Sequence, residues 1–167
     1  MRKINLEDIV NELELISDDG ISFLNKTTGQ FFHFSSKEME YAENGIDINR
    51  SLPEWQIKKI NNVREIFKSN NYVKLPTKNE INEHGLMINF LRNNPNQNLI
   101  KEVVNLEQDN NVNYWQLRKV ILQFNIGDEW YRYKREAFQK IAIDWCYKNA
   151  GSIASGILQE IKLNNHL

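Results

Sequence analysis

The sequence predicts an α+β fold, mostly helical, carrying a small antiparallel β-hairpin or sheet of two or three strands. Three observations point there. Apolar residues recur at helical spacing along most of the chain; after Gly20 the pattern switches to strand formers as far as Phe34; and Tyr72-Val73-Lys74-Leu75 forms a short strand-like run before Pro76. At 167 residues, with 41% hydrophobic and 26% charged side chains, the chain is long and apolar enough to bury a core unaided. The reading is a single domain over residues 1–167, with 150–167 as a helical C-terminal extension.

The first helix follows from Leu6, Ile9, Val10 and Leu13, which share one face, with Asn5 as its cap and Glu7 and Asp8 at the positive end of its dipole. Asp18-Asp19-Gly20 ends it. A hairpin over about 21–34 places Lys26-Thr27-Thr28-Gly29 in the turn, where Gly29 supplies a positive φ that β-branched Thr28 resists. A short helix at about 36–43 and a longer one from Pro53 to Lys68 come next, the latter with Trp55, Ile60, Val63, Ile66 and Phe67 as its apolar face. A third strand at about 72–75 precedes Thr77, which with Glu80 forms a capping box for a helix running to about Arg92. Helices at 98–107, 114–124 and 128–149 follow. Gly151 stops the last, and Ile153, Ile157, Leu158 and Ile161 suggest a terminal helix.

Composition narrows the function classes. A balance of 21 basic and 22 acidic side chains offers no global drive toward nucleic acid or anionic lipid. The charge is unevenly spread, at −5 over residues 1–52 and +4 over 53–167. Cys146 is the only cysteine, which excludes an intramolecular disulfide framework and a multi-thiolate zinc site. No run approaches the roughly 18 apolar residues of a spanning helix, and Met1-Arg2-Lys3 is followed by acids where a signal peptide needs an apolar stretch. The expectation is a cytoplasmic protein without a membrane partner.

Residues 114–147 hold nine of the 18 aromatic residues. Trp115, Trp130 and Trp145 recur every 15 positions, a spacing that turns a helix face by only about 60°. The expected inner face of the longest helix is therefore Trp130, Tyr133, Ala137, Ile141 and Trp145, with Arg132, Arg135 and Gln139 outside. Between Arg118 and Lys148, seven basic residues interleave with the aromatics, as single-strand binding requires, yet four acids leave the segment at only +3.

Chemistry-bearing residues are few. His33 lies in the Phe31-Phe32-His33-Phe34 strand and reads as structural or solvent-facing. Glu80 and His84 stand at i and i+4, two ligands where a zinc site needs more, and Glu80 already caps a helix. Cys146 reads as a small buried hydrophobe and His166 as part of a frayed tail. The seven glycines form no phosphate loop, nucleophile elbow or dinucleotide fingerprint. No catalytic residue, metal or cofactor is assigned.

The segment DEWYRYKREAFQKIAIDWCY (128–147), with LEDIVNEL (6–13), KTTGQ (26–30), YVKLP (72–76) and LMINFL (86–91), resembles the bacterial uncharacterised protein family zero-one-five-eight over most of residues 6–150. The resemblance implies a small soluble cytosolic α+β protein and carries no activity with it. One departure stands out: where such proteins show a Gly-Ala-Phe-x-x-Phe-Lys-Asp-like stretch, this chain has VNYWQLRKVI, with Tyr114 and Leu117 for the two Phe, Arg118 keeping the charge and Lys119 in place of the acid.

Three functions remain open: a non-enzymatic protein-interaction module, acting on a protein partner or by self-association; a nucleic-acid binder using the aromatic and basic C-terminal helices; and a hydrolase without a local signature. The first leads, because aromatic residues and Arg are what binding hot spots are made of. Its candidate surface is Trp115, Arg118, Tyr131, Arg132 and Arg135.

Overall fold

Side-chain alternation along two strands divides the sheet into unlike faces. The computed structural model describes residues 4–44, 52–108 and 112–149. Within them β1 (Gly20–Asn25) pairs antiparallel with β2 (Phe31–Ser35) on one side and with β3 (Tyr72–Lys74) on the other, in the order β2-β1-β3. Phe23 lies opposite Phe32, and Ser22 opposite His33. One face is thus aromatic, with Phe23, Phe32 and Phe34, and the other mixes Ser22 and His33 with Leu24 and Phe31. On the aromatic face Phe23 and Phe34 meet at 6.3 Å, and Phe32 meets Tyr72 edge-on at 5.6 Å. It packs on α2 (Ser36–Glu43) and α3 (Glu54–Lys68) through Met39, Ala42, Ile60, Val63 and Ile66. The second face carries His33, which Glu12 of α1 (Leu6–Leu15) reaches.

The turn works as its residue types require. Asn25 Oδ1 accepts the amides of Thr27 and Thr28 at 2.9 and 3.0 Å, the Gly29 amide donates to the Asn25 carbonyl at 2.8 Å, and Gly29 adopts φ 73°. The helix caps are equally local. Asn5 and Asp8 form a reciprocal box on α1, and Ser35 and Glu38 form one on α2. Thr77 donates its amide to Glu80 Oε2 at 2.7 Å; this backbone bond, then the bond from the Thr77 hydroxyl, holds the Glu80 carboxyl below the ordinary carboxylate range.

Two expectations are corrected. Pro53 stands at the N-cap of α3 and not inside its first turn. The single helix expected from Thr77 to Arg92 is broken into α4 (Lys78–Ile81) and α5 (Glu83–Arg92). Asn82 causes the break by adopting a left-handed conformation, φ 52°, from which its side chain accepts the Gly85 amide. A Cβ at position 85 would lie 2.5 Å from Asn82 Nδ2, so the cap needs glycine there.

Then follow α6 (Gln97–Gln108), α7 (Tyr114–Gln123) and α8 (Gly127–Lys148). The expected terminal helix falls outside the described residues. Among these, the chain groups into two compact units, one drawn from Met1–Glu80 and Ile141–Leu167, the other from Ile81–Lys140. The second unit closes on Met87, Leu91, Leu99, Val103, Leu117, Val120 and Ile121, flanked by Phe90, Tyr114 and Trp130.

The inner stripe of α8 also needs correction. Trp145 is buried as expected, but Trp130, Tyr133, Ala137 and Ile141 are only half-buried, and the deepest positions are Phe138, Ala142 and Cys146. These follow an i, i+4, i+8 row one position along from the expected one. Consequently Arg132 is exposed, while Arg135 and Gln139 are half-buried.

Trp145 Nε1 donates to the Lys74 carbonyl at 2.9 Å, tying the last turns of α8 to β3 within the first unit. Trp145→Ala removes both the buried ring and this bond, and is expected to cost about 3–5 kcal/mol. A urea melt reads this directly, with Arg132→Ala as an exposed control; equal midpoints for Trp145→Ala and the parent chain would contradict the packing described.

Candidate functional site

A cleft of about 330 Å³ opens in the first unit, where the end of α1, the start of β1, the end of β2 and the beginnings of α2 and α3 converge. Leu15, Asp19, Ser22, His33, Glu38, Trp55 and Lys59 are among its lining residues. The strand register brings His33 and Ser22 together, and α1 brings Glu12 behind them. His33 Nδ1 is 3.0 Å from Ser22 Oγ and 3.0 Å from Glu12 Oε1. Ser22 and Glu12 are buried, whereas the His33 side chain is 55% exposed.

Glu12 Oε1 has no well-directed hydrogen bond despite its closeness to the ring, so that contact is electrostatic. Ser22 Oγ and Glu12 Oε1 thus both address Nδ1, and which of Ser22 and the ring donates depends on the ring tautomer. This differs from a nucleophilic triad, in which serine and acid address opposite ring nitrogens. Ser22 here is enclosed beside the ring.

Burial raises the Glu12 carboxyl above its ordinary value, opposed by the charge of His33 and the Ser22 bond. In the same cleft Glu38 accepts the Ser35 amide at 2.8 Å and pairs with Lys59 at 3.4 Å, and the Lys59 ammonium lies 6.0 Å from the Trp55 ring centroid. Trp55, expected to be on the apolar face of α3, is 62% exposed and stands in the cleft instead.

The second unit contains a different polar cluster. Buried Glu83 receives Lys134 Nζ at 2.9 Å and the Tyr114 hydroxyl at 3.1 Å. Desolvation first, and the Glu83 charge next, raise the Tyr114 hydroxyl above its ordinary value, with Arg118 opposing. Lys134, one of the basic residues of the aromatic segment, is therefore committed to an internal ion pair. Trp115 is 67% exposed and the Arg118 guanidinium lies 5.8 Å from its ring centroid. Tyr131 and Arg132 are exposed on α8; Arg135 is half-buried and has interaction partners of its own.

The remaining candidates sit as follows. His84 Nε2 donates to the Val112 carbonyl at 3.1 Å, and the helix break at Asn82 removes the continuous face on which Glu80 and His84 were to stand. Among the described residues no group of three or more His, Cys, Asp or Glu is placed to hold a metal ion. Cys146 is buried and its thiol is pushed up to about 11 by desolvation. No helix among them is long and apolar enough to cross a membrane.

No family model, curated protein or solved structure matches the chain. The chemistry of the site therefore rests on its own geometry. Glu12 and Ser22 were missed in the sequence, although Glu12 carried a signal: it stands between Ile9 and Ile16 at helical spacing, and a carboxylate on a buried face requires partners.

The raised Glu12 value fixes the sign of a pH effect. The folded state holds this proton more tightly than the unfolded chain, so the contribution favours folding below the ordinary carboxylate value and is lost as pH rises through the raised one. Relative to Glu12→Gln, which does not ionise, the parent chain is expected to lose stability over that rise. Chemical denaturation across the acidic range tests it; a difference that stays flat, or moves the other way, contradicts the environment assigned to Glu12.

Proposed function

We propose that this protein is a cytoplasmic protein-interaction module with no catalytic residue assigned, and that its contact surface is the exposed face of α7 with Tyr131 and Arg132 of α8. The observation that carries this reading is the trio Trp115, Arg118 and Leu122. They stand at i, i+3 and i+7, two large apolar side chains are about two-thirds exposed, and Arg118 lies against the Trp115 ring. An aromatic residue and an arginine already held together need little further ordering to bind. With Lys119 also exposed, the complement is a protein surface that is apolar at its centre and acidic at its edge.

Nucleic acid is the alternative partner, favoured by aromatic and basic residues in one segment. Lys134 in its ion pair with Glu83, and Arg135 half-buried, reduce the cations that segment has to offer. A hydrolase stands third. The likeness to protein family zero-one-five-eight agrees with a small soluble cytosolic protein and adds no activity.

Trp115→Ala combined with Leu122→Ala is expected to leave stability within about 0.5 kcal/mol of the parent, because both side chains are solvent-exposed. Retention of a protein partner in a nuclease-treated native lysate is expected to fall at least about tenfold. Retention that disappears with nuclease alone would support the nucleic-acid reading, and retention unchanged by the double substitution would remove α7 as the surface.

A further inference from the structure

The outer edge of β2 is distinct from the α7 face and offers backbone groups in place of side chains. We propose that this edge pairs with β2 of a second copy of the chain, antiparallel and about a two-fold axis at Phe32, so that two three-stranded sheets become one. Three features of the strand lead there.

The first is unpaired backbone. In the order β2-β1-β3, both β2 and β3 are edges. The Asn25 amide donates to the Gln30 carbonyl at 2.9 Å, and the Ser36 amide donates to the Asp19 carbonyl at 3.0 Å. Antiparallel pairs alternate, so Phe32 and Phe34 exchange the intervening bonds with Phe23 and Ile21, while the N–H and C=O of Phe31 and His33 point away from β1. Among the described residues these outward groups have no hydrogen-bond partner.

The second is the lack of edge protection. Sheets blunt their edges with lysine, acids, proline or a covering element. At β3 such guards are present: Lys74 lies in the strand, Pro76 follows it, and the Lys74 carbonyl accepts Trp145 Nε1 at 2.9 Å. The β2 sequence FFHFS contains no lysine, acid or proline. An apolar edge of this kind recruits a further strand through its main chain.

The third is self-complementarity. With the axis at Phe32, Phe31 of each copy stands opposite His33 of the other, and the N–H of each meets the C=O of the other. Moving the axis to His33 sets Phe31 opposite Ser35, whose amide already donates to Glu38 Oε2 at 2.8 Å. Moving it to Phe31 sets His33 opposite Gly29, whose amide already donates to the Asn25 carbonyl at 2.8 Å. Of these three registers, the one centred on Phe32 pairs open groups with open groups throughout. It also sets a phenyl ring beside an imidazole on each side of the axis, a cross-strand pair that favours the contact. A second copy is therefore the strand that fits.

The test combines sedimentation equilibrium of the full chain with amide hydrogen exchange followed by NMR. A monomer–dimer equilibrium in the micromolar to millimolar range is expected, with the Phe31 and His33 amides exchanging at least about tenfold more slowly in the dimer than in the monomer. Phe31→Lys is expected to weaken association at least about tenfold by putting a charge on the edge. His33→Pro, which removes an outward N–H and leaves the β1 ladder intact, is expected to do the same. A thermal melt verifies the fold of each variant; if His33→Pro unfolds, Phe31→Lys and the exchange rates of the parent chain decide. A chain monomeric up to about 1 mM would overturn the proposal and leave the edge to an extended segment of another protein. A dimer whose Phe31 and His33 amides exchange as in the monomer would overturn it too, as would one that survives Phe31→Lys and is lost when Trp115→Ala is combined with Leu122→Ala. Failure of α7 to retain a lysate partner moves none of these readouts.

Discussion

The register between β1 and β2 is the constraint on which the first unit depends. With Phe23 opposite Phe32 and Ser22 opposite His33, the aromatic rings face α2 and α3 while the polar pair faces α1. A slip of one residue would exchange the faces, turning Phe23 away from α2 and α3 and separating Ser22 from His33. Burial of each apolar side chain is worth about 1.5–3 kcal/mol, so the aromatic face holds the register firmly. The polar cluster is held in place by that face and did not have to supply the stability itself. This separation lets a buried carboxylate, a serine and a half-exposed imidazole persist on a three-stranded sheet.

Among the described residues, Glu12 and Glu38 are buried in the first unit and Glu83 in the second, and Glu12 and Glu83 are accommodated differently. Glu83 meets an ammonium and a phenol directly, at 2.9 and 3.1 Å, a structural ion pair within the second unit. Glu12 meets a serine hydroxyl and a ring with an open side toward solvent. A closed pair fixes geometry and takes Lys134 out of the surface. The Glu12 cluster instead includes an imidazole whose side chain is half-exposed. The proposed α7 contact face differs from both, since its Trp115, Arg118 and Leu122 are exposed.

Local chemistry made much of the fold legible in the sequence. The Asn5 and Thr77 caps, the Gly29 turn and the short β3 run each depend on residues within a few positions of one another, and all stand where their types require. The helix break at Asn82 escaped, because asparagine takes the left-handed conformation only at modest cost and no pattern in the apolar residues marks it. The α8 stripe escaped by one position, since tryptophan spacing says which residues share a side of a helix but not which of two adjacent rows sits deepest. The site was less legible still. His33 was visible as an outward residue, whereas its partners come from a helix 21 residues earlier and from the facing strand, and only strand pairing brings the three together.

The most direct measurement is the set of cross-strand nuclear Overhauser contacts in the hairpin. The register described requires contacts linking Ser22 with His33 and Phe23 with Phe32, together with side-chain contacts between His33 and Glu12. Contacts pairing Ser22 with Phe32 or Phe34, or His33 remote from Glu12, would show a slipped sheet, and the Glu12–Ser22–His33 cluster built on the register would fall with it.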